Sequence, residues 1–187
     1  MLNYQSSIKE NKSYSGLNIK EISPIMKLNL RGKSREFLST IGKNINMILP
    51  LEANTSSSSD KYTSIWLSPD EWMVISNNSI DKENNNYEIE ELLFNKISKN
   101  NLGAVIDVSD QFILINLEGE KVFDLLSTGC PFDFTNFKTK KGAVVQTLLT
   151  QVDIIIHHKE QNNINLLVRR SFSEHLMSWI EDAASRL

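Results

Sequence analysis

The sequence predicts an α+β fold, an antiparallel sheet with helices on one side, built twice in tandem. Two observations lead to it. Residues 25–42 (IMKLNLRGKSREFLSTIG) and 112–129 (FILINLEGEKVFDLLSTG) share one pattern: a strand ended by a glycine, then a helix closed by another. With Gly32 laid on Gly119, Asn29 falls on Asn116, Leu30 on Leu117, Leu38 on Leu125 and Gly42 on Gly129. The segments downstream also agree in kind. The first copy is followed by an apolar run (65–67), a Ser-Pro-Asp turn, a strand (72–75) and a helix (87–97). The second is followed by an apolar run (153–156), a polar turn, a strand (164–168) and a helix (172–184). Such recurrence marks an internal repeat, and strands grouped with helices twice over mark an α+β layer structure. The expected organisation is a polar N-terminal tail over residues 1–24 and a single domain over 25–187, its repeats at about 25–100 and 104–187.

Composition narrows the function classes. The 187 residues carry a net charge of -3 and a pI near 5.7, which offers no basic footprint for nucleic acid. Cys130 is the sole cysteine, so no internal disulfide forms and a reducing compartment fits. The segment MLNYQSSIKE lacks the basic-then-apolar order of a secretory signal. No apolar run approaches the ~20 residues that span a bilayer. A soluble, cytoplasmic protein is expected, with neither nucleic acid nor membrane as partner.

Residues 1–22 are polar with scattered single apolars (Tyr4, Ile8, Tyr14, Leu17), too few to offset ordering at ~1–2 kcal/mol per residue. They read as a disordered tail, or as an arm that lies across a partner. Met26, Leu28 and Leu30 alternate with Ile25, Lys27 and Asn29, the pattern of a half-buried strand, and Phe37, Leu38, Ile41 and Ile45 form the stripe of the helix that follows. Thr55–Asp60 and Asn77–Asn86 read as surface loops. Between them SIWLSPDEWMVIS reads as a hairpin around Pro69-Asp70. Ile89, Leu92, Leu93 and Ile97 mark the helix closing the first repeat.

In the second repeat Val122, Phe123, Leu125 and Leu126 share one helical face, and Gly129 and Pro131 end that helix. Residues 143–149 and 153–156 read as strands bent at Thr150-Gln151. A polar turn (159–163) leads to a last strand. Ser171 and Glu174 have capping-box spacing, and Phe172, Leu176, Trp179, Ile180 and Ala183 mark the final helix.

The sequence holds no evident catalytic constellation. His157 and His158 are neighbours on a strand and point to opposite faces, so they cannot share a metal. His175 reads as solvent-facing. Cys130 follows a helix C-terminus, which disfavours a thiolate, and reads as a packed residue at a tight corner. Gly32 and Gly119 lie in neither G-x-G-x-x-G nor G-x-x-x-x-G-K-[ST]. Nothing brings Asp107, Asp110 and Asp133 together. Arg169 and Arg170 offer a carboxylate clamp or a structural ion pair.

AVIDVSDQF, INLEGEKVFDLLSTGCPFDF, AVVQTLLTQVDIIIH and LLVRRSFSEHLMSWIEDA, preceded by LSPDEWMVIS, resemble in this order the gamma subunits of heterotetrameric sarcosine oxidases. The similarity covers roughly residues 60–187 and, more loosely, the strand and helix from 25. Its specific parts are the GCPFD corner and the VRRSFSEHLMSWIEDA tail. The resemblance implies a fold similar to the folate-binding domain of aminomethyltransferases. It also implies a complex of alpha, beta, gamma and delta subunits that oxidatively demethylates sarcosine to glycine, releases hydrogen peroxide and passes the one-carbon unit to tetrahydrofolate. In that complex FAD, FMN, NAD and tetrahydrofolate belong to the larger subunits, and a small subunit carries zinc.

Aminomethyltransferases follow their strand with a Gly-Gly turn and paired acids; here VVQTLLTQVDIII has no Gly-Gly and only Asp153. A related folate-binding repair family carries Lys-Gly-Cys-Tyr, where Thr128-Gly129-Cys130-Pro131 keeps only Gly-Cys. No catalytic, cofactor-binding or metal residue is therefore carried over. The expected role is that of a non-catalytic subunit, with Trp66, Trp72, Cys130, Pro131 and Arg170 at its interface, because aromatics and arginine anchor interfaces. The alternatives are a free-standing folate-dependent one-carbon protein of the aminomethyltransferase type and an unrelated adaptor.

Overall fold

The structure, a computed structural model, describes residues 6–8, 10–22, 24–79 and 87–187, without the side chain of Tyr87. Tyr4 and residues 80–86 of the expected second loop lie outside them. In chain order the first elements are β1 (Lys12–Tyr14), β2 (Leu17–Glu21), β3 (Lys27–Arg31), α1 (Arg35–Ile45), β4 (Ser56–Ser58), β5 (Tyr62–Ser68) and β6 (Glu71–Ser76). Then come α2 (Tyr87–Leu93) with a π-helical turn (Phe94–Ser98), β7 (Ala104–Asp107), β8 (Phe112–Glu118) and α3 (Val122–Ser127). The chain ends with β9 (Val144–Leu149), β10 (Val152–Glu160), β11 (Asn163–Arg169) and α4 (Ser173–Ala184). These form two compact units, Pro24–Asp110 and Met1–Ser23 with Gln111–Leu187.

The Pro24–Asp110 unit is an antiparallel sheet in the order β4-β5-β6-β3-β7. Helix α1 is started by the Ser34 hydroxyl, which accepts the Phe37 N–H at 3.0 Å, and stopped by Asn46 in the left-handed region. Its stripe Phe37, Ile41 and Ile45 packs with Leu28, Leu30, Trp72 and Val74 of the sheet. Burial of such side chains stabilises by ~1.5–3 kcal/mol each. Ile89, Leu93 and Ile97 join this core at a strict spacing of four, which drifts by about 40° per step on an α-helix of 3.6 residues per turn. The wider π turn at Phe94–Ser98 takes up that drift between Leu93 and Ile97, whereas Leu92 is exposed.

The other unit is a six-stranded antiparallel sheet, β1-β2-β8-β11-β10-β9. Helices α3 and α4 bury Val122, Leu125, Leu126, Leu176, Met177 and Ile180 in one cluster with Ile115, Leu117, Ile154, Ile156, Ile164 and Leu166.

The repeat extends to strand register. Leu30 lies between Trp72 and Val105, and its counterpart Leu117 between Ile164 and Ile19. The Gly32 N–H donates to the Asp70 carbonyl at 2.9 Å, as the Gly119 N–H does to Asn162 at 2.8 Å. The outer neighbours are exchanged. β2 precedes β3 in the chain but pairs with β8, and β7 precedes β8 but pairs with β3.

Four expectations need correction. Residues 12–21 of the expected polar tail are ordered strand, because β1 and β2 extend the second sheet and bury Leu17 and Ile19 in its core. Ile8 is buried there too, its N–H donating to the Glu21 carboxylate at 2.8 Å. A strand that docks on β8 needs only an alternating pair of apolars, since β8 supplies the rest of the core. The serines at 56–58 form an edge strand on β5 rather than a loop. β10 does not end at Ile156 but runs on through both histidines to Glu160; β9 and β10 are the two expected strands, paired as a hairpin turned at Thr150-Gln151 with Thr150 at φ 60°. The capping box is absent: a 3-10 turn, Arg170–Phe172, precedes α4, and Ser173 donates its hydroxyl to the Arg170 carbonyl at 2.7 Å.

Candidate functional site

The five expected interface residues fall into two groups. Trp72 is 1% exposed; its ring centroid lies 6.1 Å from that of Phe37, and its Nε1–H donates to the Pro50 carbonyl at 2.7 Å. Its place on β6 turns it toward the helices, so it is a core residue and not a surface anchor. Cys130 is likewise buried among the α3 and α4 side chains, with Sγ 3.7 Å from the Thr147 hydroxyl. Trp66, opposite Trp72 in register, is half-buried, and its N–H donates to the Thr55 carbonyl at 3.0 Å. Pro131 is exposed. Arg170 is half-buried; its N–H donates to the Gln111 carbonyl at 2.9 Å and its Nη1 to the Ser7 hydroxyl at 3.4 Å. Pro131 and Arg170 belong to different parts of one unit. The corner beside Pro131 packs on Trp179, well along α4, where a Cβ on Gly129 would lie 2.6 Å from the indole. Arg170 stands before that helix begins.

The GCPFDF corner is an aromatic hub. Phe132 and Phe134 stack edge-on with centroids 5.1 Å apart, Phe137 meets both, and Phe123 meets Phe134. His158 lies between Phe123 and Phe137 with Nδ1 2.7 Å from the Lys140 carbonyl, which places the proton on that nitrogen. The motif that looks most distinctive thus serves packing.

On the opposite face of the same sheet a polar row crosses four strands: His157 of β10, Asn165 of β11, Asn116 of β8 and Lys20 of β2 are successive cross-strand partners. Asn116 is buried and donates through Nδ2 to Asn165 at 3.0 Å, Asn163 at 2.7 Å and the Ile164 carbonyl at 3.1 Å. Burial pushes the His157 imidazole down to about 4, helped by the neighbouring His158 and Lys159. It is neutral at physiological pH, and within the row Asn116 bonds side chain to side chain with Asn165.

The carboxylates serve local turns. Asp107 accepts the Ser109 N–H at 2.8 Å; Asp133 accepts the Thr135 N–H at 2.9 Å, and its carboxyl is held below the usual range first by the Thr135 side chain and then by that N–H. Asp70 is held down first by the Ser68 hydroxyl and then by Arg31 and Lys33. Among the described residues no three His, Cys, Asp or Glu are placed to hold a metal ion, and no helix is long and apolar enough to cross a membrane. His175 is exposed. Sequence reading missed two features: buried Lys27 in β3, and the outward side chains of Ile48 and Leu51 after α1. The first hides in an alternating strand. For the second, the run MILPL showed apolar character but not which members turn out.

Residues 32–186 match the family described as sarcosine oxidase, gamma subunit family. The sarcosine oxidase subunit gamma of Corynebacterium sp. (strain U-96) is 25% identical over 121 residues, covering 65% of this chain and 55% of that protein. The subunit gamma of Corynebacterium sp. (strain P-1) is 25% identical over 140 residues, covering 73% of this chain and 64% of that protein. The matches thus span less than two thirds of either relative. Among solved structures, a chain of the heterotetrameric sarcosine oxidase from Corynebacterium sp. U-96 in complex with pyrrole 2-carboxylate superposes with a TM-score of 0.80 at 21% identity, covering 91% of this chain and 84% of that one. The glycine cleavage system aminomethyltransferase T from Bartonella henselae superposes with a TM-score of 0.61 at 13% identity, covering 88% of this chain and 45% of that one. The fold is therefore α+β and of the aminomethyltransferase kind. By a family match that runs from Gly32 to Arg186, this chain belongs to the sarcosine oxidase, gamma subunit family.

Proposed function

We propose that this chain is the non-catalytic gamma subunit of a heterotetrameric sarcosine oxidase, assembled with alpha, beta and delta subunits in the cytoplasm. The complex oxidatively demethylates sarcosine to glycine, forms hydrogen peroxide and passes the one-carbon unit to tetrahydrofolate. FAD, FMN, NAD, tetrahydrofolate and zinc belong to its other subunits, and none to this chain. The observation that carries this reading is the family match over residues 32–186. The chemistry of the chain is in keeping with it: the sole cysteine is a core residue, and of the two adjacent histidines one packs against phenylalanines and the other is buried and neutral. Docking by Trp66, Pro131 and Arg170 is part of the same proposal.

The test is co-expression with the other three oxidase chains, with the purification tag on one of those. One copy of this chain is expected in the purified complex, and the isolated chain is expected to bind neither flavin nor micromolar tetrahydrofolate. An oxidase that assembles and produces peroxide at full rate without this chain overturns the reading. Micromolar tetrahydrofolate binding by the isolated chain would favour the free-standing one-carbon protein instead.

A further inference from the structure

Ile48 and Leu51 carry the highest exposure among the large apolar side chains described, at 82% and 69%. They stand on the loop between α1 and β4, and that loop is braced. Met47 and Leu49 are buried in the core beneath it, and the Met47 N–H donates to the Gly42 carbonyl at 3.1 Å. The Ser57 hydroxyl donates to the Ile48 carbonyl at 2.6 Å, Trp72 Nε1–H to the Pro50 carbonyl at 2.7 Å, and the Thr55 hydroxyl to the Glu52 carbonyl at 2.7 Å. Pro50 fixes its own φ between the two knobs. The backbone that presents Ile48 and Leu51 is ordered by the fold itself, so seating them in a partner forfeits little further freedom.

The chemistry around them selects the partner. Residues 46–55 (NMILPLEANT) carry one charge, Glu52, and no cation, so nothing here attracts phosphate or an acidic surface. The neighbouring edge strand β4 is three serines, where edges that must stay unpaired are guarded by lysine or proline. Leu92 and Phe94, also exposed, are by contrast flanked by Glu88, Glu90 and Glu91, and the Lys99 ammonium lies 6.0 Å from the Phe94 ring. Two side chains fall far short of the roughly 800 Å² per partner of a stable stand-alone interface. They fit the central anchor of a wider contact with a different chain, where a few well-packed residues carry most of the energy.

We propose that Ile48 and Leu51 are the apolar anchor by which this subunit seats in an uncharged, hydrophobic cleft of another oxidase subunit. This rests on the gamma-subunit reading above. In the co-expressed complex, Ile48→Ser with Leu51→Ser is expected to lower retention of this chain at least tenfold, while its thermal midpoint alone stays within a few degrees of the parent. Retention equal to the parent overturns the anchor and leaves the gamma-subunit reading standing; a parent chain that fails to join the oxidase sinks both. Should the double variant unfold, Ile48→Cys in a Cys130→Ser background decides by another route. Maleimide labelling at position 48 is expected in the isolated chain and at least tenfold slower in the complex. Equal labelling in both, or an isolated chain that dimerises through this loop, overturns the proposal.

Discussion

Lys27 and Ser109 hold each other on three sides. The Lys27 N–H donates to the Ser109 hydroxyl at 2.9 Å, that hydroxyl lies 3.5 Å from the Lys27 carbonyl, and the Lys27 ammonium donates to the Ser109 carbonyl at 3.1 Å. The ammonium also reaches the Ile25 carbonyl at 3.2 Å. Lys27 is almost fully buried, and these carbonyls fall beside the two points where the chain passes between its units. Ser109→Ala removes the acceptor of a buried backbone N–H, which costs about 1–3 kcal/mol. Urea denaturation followed by far-ultraviolet circular dichroism checks this; an unchanged midpoint would show that the hydroxyl is dispensable.

His157 makes stability depend on pH. Its folded value of about 4 lies below the ordinary 6.5, so its contribution is fully present above pH 6.5 and is lost as pH falls toward 4. The unfolded chain takes up a proton that the native imidazole refuses. The slope is at most ~1.4 kcal/mol per pH unit, roughly 3 kcal/mol over the window. Cross-strand Asn165 and Val144 are neutral, so His158 and Lys159 are the charged or titratable neighbours along its own strand. His157→Gln is expected to flatten the profile in thermal melts between pH 7.5 and 4.5.

Trp72 is expected to act through folding and not through direct contact. Trp72→Ala should cost about 3–5 kcal/mol. Trp72→Phe keeps most of the volume but loses the bond to Pro50, and should cost less while the complex still forms. Assembly lost in the Phe variant without loss of stability would return this residue to the interface.

Removal of residues 1–21 tests the N-terminal strands. Leu17 and Ile19 are buried, and losing both forfeits about 3–6 kcal/mol. That is a large share of the 5–15 kcal/mol that typical domains possess. The truncated chain should aggregate or elute as expanded material in size-exclusion chromatography; a monodisperse product with an unchanged melting point would contradict the pairing of β2 with β8.

The repeat was legible because identical local demands recur. A strand must end in Gly32 or Gly119, and an apolar stripe must follow. The exchange of β2 and β7 was not legible. Leu17-Asn18-Ile19-Lys20 alternates as a strand does, but nothing in those residues says that their partner lies at Phe112–Glu118. Trp72 shows a related limit, since the aromatic character that marks interface anchors also marks cores, and only the register of β6 decides between them. Of the expected contact residues, Trp66, Pro131 and Arg170 keep surface to offer. Ile48 and Leu51 escaped notice because a loop's outward residues are set by its tethers (Ser57 and Trp72), which lie far along the chain. The missing capping box at Ser171 is the reverse case: the local signal was right in kind, and a 3-10 turn fixed by Ser173 displaced it.

The exchanged strands have a consequence for biosynthesis. Pro24–Asp110 is a continuous segment that can close its sheet as soon as β7 is made. Leu17–Glu21 is translated before its partner strand and waits about 90 residues for Phe112–Glu118, roughly 5–18 s at ordinary elongation rates. During that interval an alternating apolar segment of the nascent polypeptide stays open, where holding factors or a misplaced neighbour can take it, and a slow ribosome lengthens the exposure.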